Sequence, residues 1–313
     1  MRAKLLTAAI LLQLLFLGAF ALMWERLYHD GYTVFLRTVP LDPRDPLRGD
    51  YLALNYDINQ VPMSAYRGPA ASTSLRRGDR LYAALRPGQG GVYHLKALYS
   101  EPPAGDIFIA GRLERRGEQQ LQLRYGIEQL YRQQGEAKQM ELMQRGSDHV
   151  PRPLDIELAV DEQGRALIRG YRWADLGVAV SWKESARQPD SAANILEVRI
   201  HNFSADTIWL MDDPQHCAFA FTGESQAAVI QRGQCETPAP QRIAAGADYR
   251  FSLPVLFRQW QLRELAAQGR APELQRRSGP LRLQLRYSSP VGGLSADAWR
   301  GELLSMPLWM PSP

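Results

Sequence analysis

The sequence has 313 residues, a hydrophobic content of 45%, a charged content of 22% and a formal net charge of +4 at pH 7. These proportions are ordinary for a globular protein and exclude wholesale disorder. The basic residues alternate with acidic ones and form no Lys/Arg block, so we expect no nucleic-acid partner. A chain of this length exceeds what one hydrophobic core usually fills, which predicts two folded domains after the N-terminal segment.

The N-terminal segment predicts a membrane anchor. Arg2 and Lys4 precede an apolar run over residues 5–23, and Trp24 follows it in the position of an interfacial aromatic residue. As a helix, the run would span about 28 Å, close to the hydrocarbon thickness of a bilayer. The basic end is expected to stay in the cytoplasm. Residues 5–24 therefore predict a single pass through the bacterial cytoplasmic (inner) membrane, with the C-terminal body in the periplasm.

A cleaved signal peptide is the alternative interpretation of this segment. Residues 19–21 read Ala-Phe-Ala, a cleavage site of the A-x-A type, and residues 5–17 would be the apolar region before it. Against cleavage after Ala21, the apolar run continues beyond the site to Met23 and Trp24. Both interpretations export the body of the protein, and they differ only in whether the helix is retained.

Residues 32–39 predict the first β-strand, and a proline-rich turn segment follows it. Gly49 and Asp50 form a turn signal before a second predicted strand, residues 51–58. Alternate side chains of a strand share a face. We expect the core face to contain Leu52, Leu54, Tyr56 and Ile58, and the opposite face Tyr51, Ala53, Asn55 and Asp57. A second Gly-Asp pair at residues 78–79 opens another predicted strand, which fits a small antiparallel sheet or barrel.

Further along, the β pattern is interrupted after Tyr125. Residues 136–143 predict a short helix with Met140 and Met143 on its apolar side. Residues 154–160 and 166–171 then predict a hairpin that closes the first domain.

A motif identifies the first half of the chain. Residues 49–56 read GDYLALNY and match the pattern GDYxxLxY at every fixed position, which are Gly49, Asp50, Tyr51, Leu54 and Tyr56. A Val-Pro-x-Asp-Pro-Arg-Asp run precedes the motif, and a Tyr-Gly-Ile-Glu segment at residues 125–128 and the predicted hairpin follow it in order. On these landmarks the chain resembles the GDYXXLXY family over about residues 5–173. The resemblance implies a single-pass envelope protein, often encoded beside a multi-pass membrane protein, and it implies no established chemistry.

Asp50 is the candidate catalytic residue that the motif offers. A general acid or base needs a partner positioned by the fold, and no sequence feature pairs Asp50 with a neighbouring acid. In the structural interpretation, Gly49 supplies a permissive backbone, Asp50 caps the turn, and the motif tyrosines pack. A serine–lysine signal peptidase is disfavoured, because the first serine after the anchor is Ser64, beyond the place of the nucleophile.

The second half of the chain predicts a different β domain. Short apolar stretches separated by turn signals recur about every ten residues, the spacing of an immunoglobulin-like β-sandwich. One exception is residues 256–268, whose apolar residues fit a short helix. The predicted strands are 177–182, 195–202, 207–211, 217–222, 226–231, 249–256, 281–287, 299–306 and 307–310.

These elements predict a mainly β protein in three parts. Residues 1–28 are the cytoplasmic tip and transmembrane anchor, residues 29–174 a small antiparallel β domain, and residues 175–313 an immunoglobulin-like β-sandwich. The fold class is therefore a transmembrane helix followed by antiparallel β domains.

Cys217 and Cys235 are the only cysteines. In an oxidising compartment they predict a disulfide that staples a local hairpin, whereas in the cytosol they would be buried thiols. His216 beside Cys217 suggests a catalytic pair, but neighbouring side chains of a strand point to opposite faces. The five histidines show no metal-ligand spacing, so we predict no metal site and no cofactor.

Three functions are compatible with this organisation. The first is an accessory subunit that docks on a multi-pass membrane protein, which fits the lone anchor, the exported β-rich body and the missing catalytic constellation. The second is an envelope hydrolase that uses Asp50. The third is a secreted periplasmic binding module released after Ala21. The sequence favours the first, and with it no enzymatic activity.

Overall fold

The computed structural model describes residues 2–39, 51–69, 74–117, 120–133, 135–146, 150–183, 194–223, 229–232, 235–255, 260–262, 281–290 and 298–310. A long N-terminal helix precedes a series of antiparallel sheets. This confirms the predicted mainly β fold class.

Helix α1 (Arg2–Asp30) is apolar on every side, and its large side chains from Leu6 to Leu22 are exposed. Within the described ranges, Leu6–Asp30 is the one helix with the length and apolar composition to cross a membrane, features that a signal sequence shares. An all-round apolar helix needs an apolar environment, which the described part of the chain does not supply for residues 6–22.

The first β unit has three antiparallel sheets, with strand orders β1-β9-β10, β3-β7-β6-β4-β5 and β2-β8. Its strands are β1 (Tyr32–Arg37), β2 (Tyr51–Ala53), β3 (Gln60–Pro62), β4 (Arg80–Pro87), β5 (Tyr93–Tyr99), β6 (Phe108–Arg116), β7 (Gln120–Arg124), β8 (Gln129–Tyr131), β9 (Leu154–Val160) and β10 (Ala166–Trp173). Helix α2 (Glu136–Arg145) precedes β9, and one hydrophobic core joins all three sheets.

The predictions for this unit are confirmed in their main features. The hairpin of β9 and β10 forms in register, with Ala166 opposite Val160. Helix α2 lies where it was predicted, but of the two methionines expected on its apolar side Met140 is buried and Met143 is exposed. The single-strand prediction for residues 51–58 is wrong, because β2 ends at Ala53 and Asp57–Asn59 form a 3-10 turn.

The second β unit has its own hydrophobic core, to which strands of several antiparallel sheets contribute. Its strands are β11 (Leu176–Trp182), β12 (Asn194–Asn202), β13 (Ile208–Asp212), β14 (Phe219–Gly223), β15 (Val229–Arg232), β16 (Ala239–Ile243), β17 (Asp248–Val255), β18 (Trp260–Leu262), β19 (Leu281–Ser288), β20 (Glu302–Leu304) and β21 (Leu308–Met310). The sheet orders are β11-β12-β17, β13-β16 and β18-β15-β14-β19-β20, with β21 also on β19. This arrangement is compatible with an immunoglobulin-like sandwich, and the predicted domain boundaries stay predictions.

Two local predictions in this unit are wrong. The helix predicted at residues 256–268 contains strand β18, which pairs with β15 in the register Leu262–Ile230; the rest of that segment lies outside the described residues. Pairing with β15, a strand distant in the sequence, makes this segment a strand, and a local sequence window does not contain that contact. Strand β16 was missed because it contains Pro240, which an edge strand paired only with β13 tolerates.

Candidate functional site

The first two residues of the family motif, Gly49 and Asp50, lie outside the described residues. The catalytic and the turn-capping hypotheses for Asp50 therefore both stay predictions. Tyr51, Leu54 and Tyr56 are described. Tyr51 is half-buried and lies opposite Tyr131 in the β2–β8 pair, while Leu54 and Tyr56 point into the core.

The motif is joined to the Tyr-Gly-Ile-Glu segment by a set of direct hydrogen bonds. The Leu54 amide donates to the Glu128 carbonyl at 2.9 Å. The Tyr56 hydroxyl donates to the Ile127 carbonyl at 2.7 Å, and the Tyr125 hydroxyl donates to the Ile58 carbonyl at 2.8 Å. The two family landmarks are thus one packed unit in three dimensions.

A single carboxylate organises the Tyr-Gly-Ile-Glu turn. The two oxygens of Glu128 accept hydrogen bonds from the amides of Tyr125, at 2.5 Å, and Gly126, at 2.9 Å. Gly126 has a φ of +84°, a left-handed backbone that favours glycine. Burial, followed by the charge of Glu128, raises the pKa of Tyr56 well above its ordinary value, and burial raises that of Tyr125 in the same way. Both phenols therefore remain protonated and donate hydrogen bonds. Their role is structural.

A charged seam connects the two β units. His94 of β5 lies between two carboxylates, with Nδ1 3.5 Å from Asp57 Oδ2 and Nε2 3.2 Å from Glu302 Oε2. Both ring nitrogens are buried, and neither contact has hydrogen-bond geometry. Glu302 belongs to β20 of the second unit and also binds Arg286 at 2.6 Å. His94 therefore brings together one acid from each unit.

Arg37 forms a second link across the seam. Its Nε donates to Asp155 Oδ1 at 2.8 Å, and its Nη1 donates to the Glu302 carbonyl at 2.6 Å. Asp155 is almost completely buried and also accepts from Arg172 Nε at 3.2 Å. Two arginines thus neutralise one buried carboxylate, and one of them reaches the second unit.

The seam encloses a cavity of ≈ 60 Å³, enough for a few water molecules. Two hydroxyls line it, those of Thr38 and Ser305. Thr38 donates to the Leu154 carbonyl and Ser305 to the Met306 carbonyl, each at 2.9 Å. A hydroxyl nucleophile requires a base that takes its proton, and these two hydroxyls donate to backbone carbonyls. Both hydroxyls are therefore engaged in hydrogen bonds inside the protein, which fits a packing role.

The cysteine and histidine predictions have distinct outcomes. Cys217 and Cys235 form a disulfide with a Cα–Cα distance of 5.7 Å, which closes the base of the β14–β15 hairpin. The prediction that His216 lies in a strand is wrong, because His216 lies in the segment between β13 and β14. Its Nδ1 is 2.6 Å from Asp212 Oδ2, and its ring stacks on Phe251. Since Cys217 is oxidised, it cannot serve His216 as a thiolate nucleophile. The described residues contain no group of three or more ligands arranged for a metal ion.

The C-terminal end of α1 is fixed to the first β unit. Leu27 is buried against the body. Arg165, at the start of β10, places Nη1 2.7 Å from the Met23 sulfur. Arg169 donates to the carbonyls of Tyr28, at 2.5 Å, and Gly31, at 3.1 Å. Since Gly31 directly precedes β1, no flexible linker separates the helix from the sheet.

Comparisons with known proteins agree with this organisation. The model of the family described as GDYXXLXY protein matches residues 13–170, which comprise most of the helix and the first β unit into strand β10. A search of the curated proteins found no match. The match covers half of the sequence and includes the motif strand, the Tyr-Gly-Ile-Glu turn and the closing hairpin. The chain belongs to the GDYXXLXY family.

Proposed function

We propose that this protein is a periplasmic accessory subunit, anchored in the inner membrane by α1 and docked there on a multi-pass membrane protein. The observation that carries the proposal is the combination of an exposed apolar helix with a rigid junction to the body. Leu6–Asp30 meets the criteria for a membrane span, and Leu27, Arg165 and Arg169 hold its end against the hairpin. A body held at a fixed height and orientation is suited to covering the outer face of a membrane partner.

The chemistry of the described residues supports a binding role over catalysis. The buried carboxylate of Asp155 is paired inside the protein with both Arg37 and Arg172. The seam histidine, His94, contacts two acids and no nucleophile. Of these groups, Arg37 and His94 contact Glu302 of the second β unit, so the contacts join the two β units.

Purification of the tagged full-length chain from native membranes in mild detergent tests the proposal. We expect a multi-pass membrane protein to co-elute at a stoichiometric yield. In a matched control, residues 5–22 are replaced by leucines, which preserves the length and apolarity of the helix but removes its specific surface. Loss of the partner from the control would locate the contact in α1, and its retention would locate it in the β body.

Two results would contradict the accessory-subunit proposal. A wild-type chain that elutes alone and monomeric would exclude a stable partner. A mature chain that begins at Leu22 by intact mass would show release from the membrane and would favour the secreted binding module.

A further inference from the structure

A groove of ≈ 740 Å³ lies between the C-terminal part of α1 and the tip of the β9–β10 hairpin. We call it the membrane-proximal groove. Its helix side includes Ala19, Leu22 and Arg26, and its hairpin side includes Glu162. This volume lies within the usual range of small-molecule sites, about 300–1,000 Å³. The groove is therefore large enough for a lipid headgroup and the first part of an acyl chain.

The two walls of the groove are held together. Arg165 joins the hairpin to Met23, and Arg169 joins β10 to the backbone at Tyr28 and Gly31. Because the hairpin cannot move independently of the helix, the depth of α1 in the bilayer sets the depth of the groove.

The helix geometry places this groove at the headgroup layer. Met23 ends the apolar run and marks the hydrocarbon boundary. At about 1.5 Å per residue, Arg26 lies about 4–5 Å beyond Met23, and Asp30 about 10 Å beyond it. The headgroup layer is about 5–8 Å thick on each side of a bilayer, so Arg26 lies within it and Asp30 lies just beyond its outer edge. Tyr28 and Tyr32 are exposed at the same level, as interfacial aromatic residues are.

The charges that line the groove select among headgroups. Arg165 is already paired with Asp161 at 2.5 Å. Arg26, Asp30 and Glu162 are exposed and make no side-chain hydrogen bond or ion pair within the described part of the chain. One free cation and two free carboxylates disfavour an anionic headgroup. They fit a headgroup that accepts through a phosphate and donates through an ammonium group.

We propose that the membrane-proximal groove binds a zwitterionic phospholipid whose headgroup carries a phosphate and a primary ammonium. Arg26 holds the phosphate, Glu162 and Asp30 accept from the ammonium, and the acyl chain lies along Ala19 and Leu22. A quaternary ammonium has no N–H to donate, so a choline headgroup makes fewer hydrogen bonds. The proposal rests on the proposed function, since it requires α1 to remain in the bilayer.

Native mass spectrometry of the full-length chain tests this site. The protein is purified from membranes, depleted of lipid by detergent exchange, and mixed with equal amounts of dioleoyl phosphatidylethanolamine, phosphatidylcholine and phosphatidylglycerol. We expect the protein to retain about ten times more of the ethanolamine lipid than of either other lipid. One hydrogen bond to a charged group contributes enough binding free energy for a ratio of about this size. Arg26→Gln and Glu162→Gln should each remove most of this preference.

Arg77→Gln and Glu114→Gln are matched controls, because both residues are exposed and lie near the junction of β4 and β6, outside the groove. They should leave lipid retention unchanged, and all four variants should keep the wild-type melting temperature. Equal retention of the three lipids, or unchanged retention in both groove variants, would overturn the proposal. The same spectra report the intact mass of the protein. A full-length chain without a lipid preference would contradict the lipid-binding proposal alone. A chain beginning at Leu22 would also contradict the proposal that α1 remains in the membrane.

Discussion

The hydroxyls of Tyr56 and Tyr125 form a reciprocal pair of hydrogen bonds. Tyr56 donates to the carbonyl of Ile127, two residues after Tyr125, and Tyr125 donates to the carbonyl of Ile58, two residues after Tyr56. Both rings lie in the hydrophobic core of the first β unit. Each tyrosine therefore donates to a backbone carbonyl in the segment that contains the other tyrosine. This exchange of hydrogen bonds gives the motif tyrosine a structural role.

Replacing either tyrosine should destabilise the first β unit without changing its packing volume. Tyr56→Phe or Tyr125→Phe removes the hydroxyl and leaves a buried carbonyl unpaired, at a cost of about 1–3 kcal/mol. We expect the melting temperature of the full-length chain in detergent to fall by roughly 3 °C per kcal/mol. The double variant should lose less than the sum, because the two bonds stabilise the same contact between segments.

Tyr131→Phe is the matched control for this pair. Tyr131 is 71% exposed, and its hydroxyl bonds only to the nearby Gln129 side chain. Its removal should leave the melting temperature within experimental error. A loss as large as that of Tyr56→Phe would contradict the interpretation that burial of the carbonyls sets the cost.

The sequence predicts those features of the fold that depend on the local spacing of apolar residues. Alternation predicted that Leu52, Leu54, Tyr56 and Ile58 face the core, and all four are buried although β2 ends at Ala53. The chain leaves the strand because Asn59 captures the Tyr56 amide at 2.6 Å. An apolar pattern specifies which side chains are buried and leaves the backbone conformation open.

The seam could not be predicted, because its contacts join residues far apart in the sequence. His94 meets Glu302, and Arg37 meets Asp155, with no spacing rule that relates the members of either pair. Strands β5, β6 and β7 were not predicted from the sequence. Their exposed faces carry many polar and charged residues, which make the apolar pattern of a strand hard to recognise. Only pairing with neighbouring strands, as in the β4–β6 register, identifies them.

Asp248 should give the second β unit a stability that depends on acid pH. Burial alone would raise the pKa of Asp248, but hydrogen bonds from Arg250, His201 and Arg199 hold it well below its usual range. A depressed folded-state pKa contributes stability that is fully present above the unfolded pKa, about 3.9, and that is lost progressively as the pH falls from there through the lower folded-state pKa. Wild type should therefore exceed Asp248→Asn in stability at pH 5, and the difference should shrink at pH 3.

Denaturant unfolding of the full-length chain in detergent at both pH values measures this difference. Asp206→Asn is the control, because Asp206 is exposed and its side chain makes no hydrogen bond within the described residues. A difference between wild type and Asp248→Asn that stays constant from pH 5 to pH 3 would contradict the assigned direction of the pKa.

Arg37→Gln should weaken the seam more than the loss of a surface ion pair does. The substitution removes the bond to the Glu302 carbonyl and one of the two arginines that neutralise Asp155, which is 2% exposed. Because Arg172 remains, we expect a loss of about 2 kcal/mol, below the 3–5 kcal/mol typical of a fully uncompensated buried charge. Thermal unfolding of the full-length protein measures the loss.

Lys96→Gln provides the comparison for Arg37→Gln. Lys96 pairs with Asp106 at 2.7 Å in a solvent-exposed position, where ion pairs contribute little. Its variant should melt like wild type. An Arg37→Gln variant that also melts like wild type would indicate that the seam does not contribute to the stability of the folded protein.

The disulfide should stabilise the second β unit through its unfolded state. Cys217 and Cys235 are 18 positions apart, a loop for which chain entropy gives about 3 kcal/mol. The double variant Cys217→Ser/Cys235→Ser should lose about this amount in denaturant unfolding of the full-length chain. Addition of dithiothreitol should destabilise wild type equally and leave the double variant unaffected, because the variant has no bond to reduce. If dithiothreitol destabilised the variant as well, its effect would not come from this disulfide, and the assignment of the stability to loop closure would be wrong.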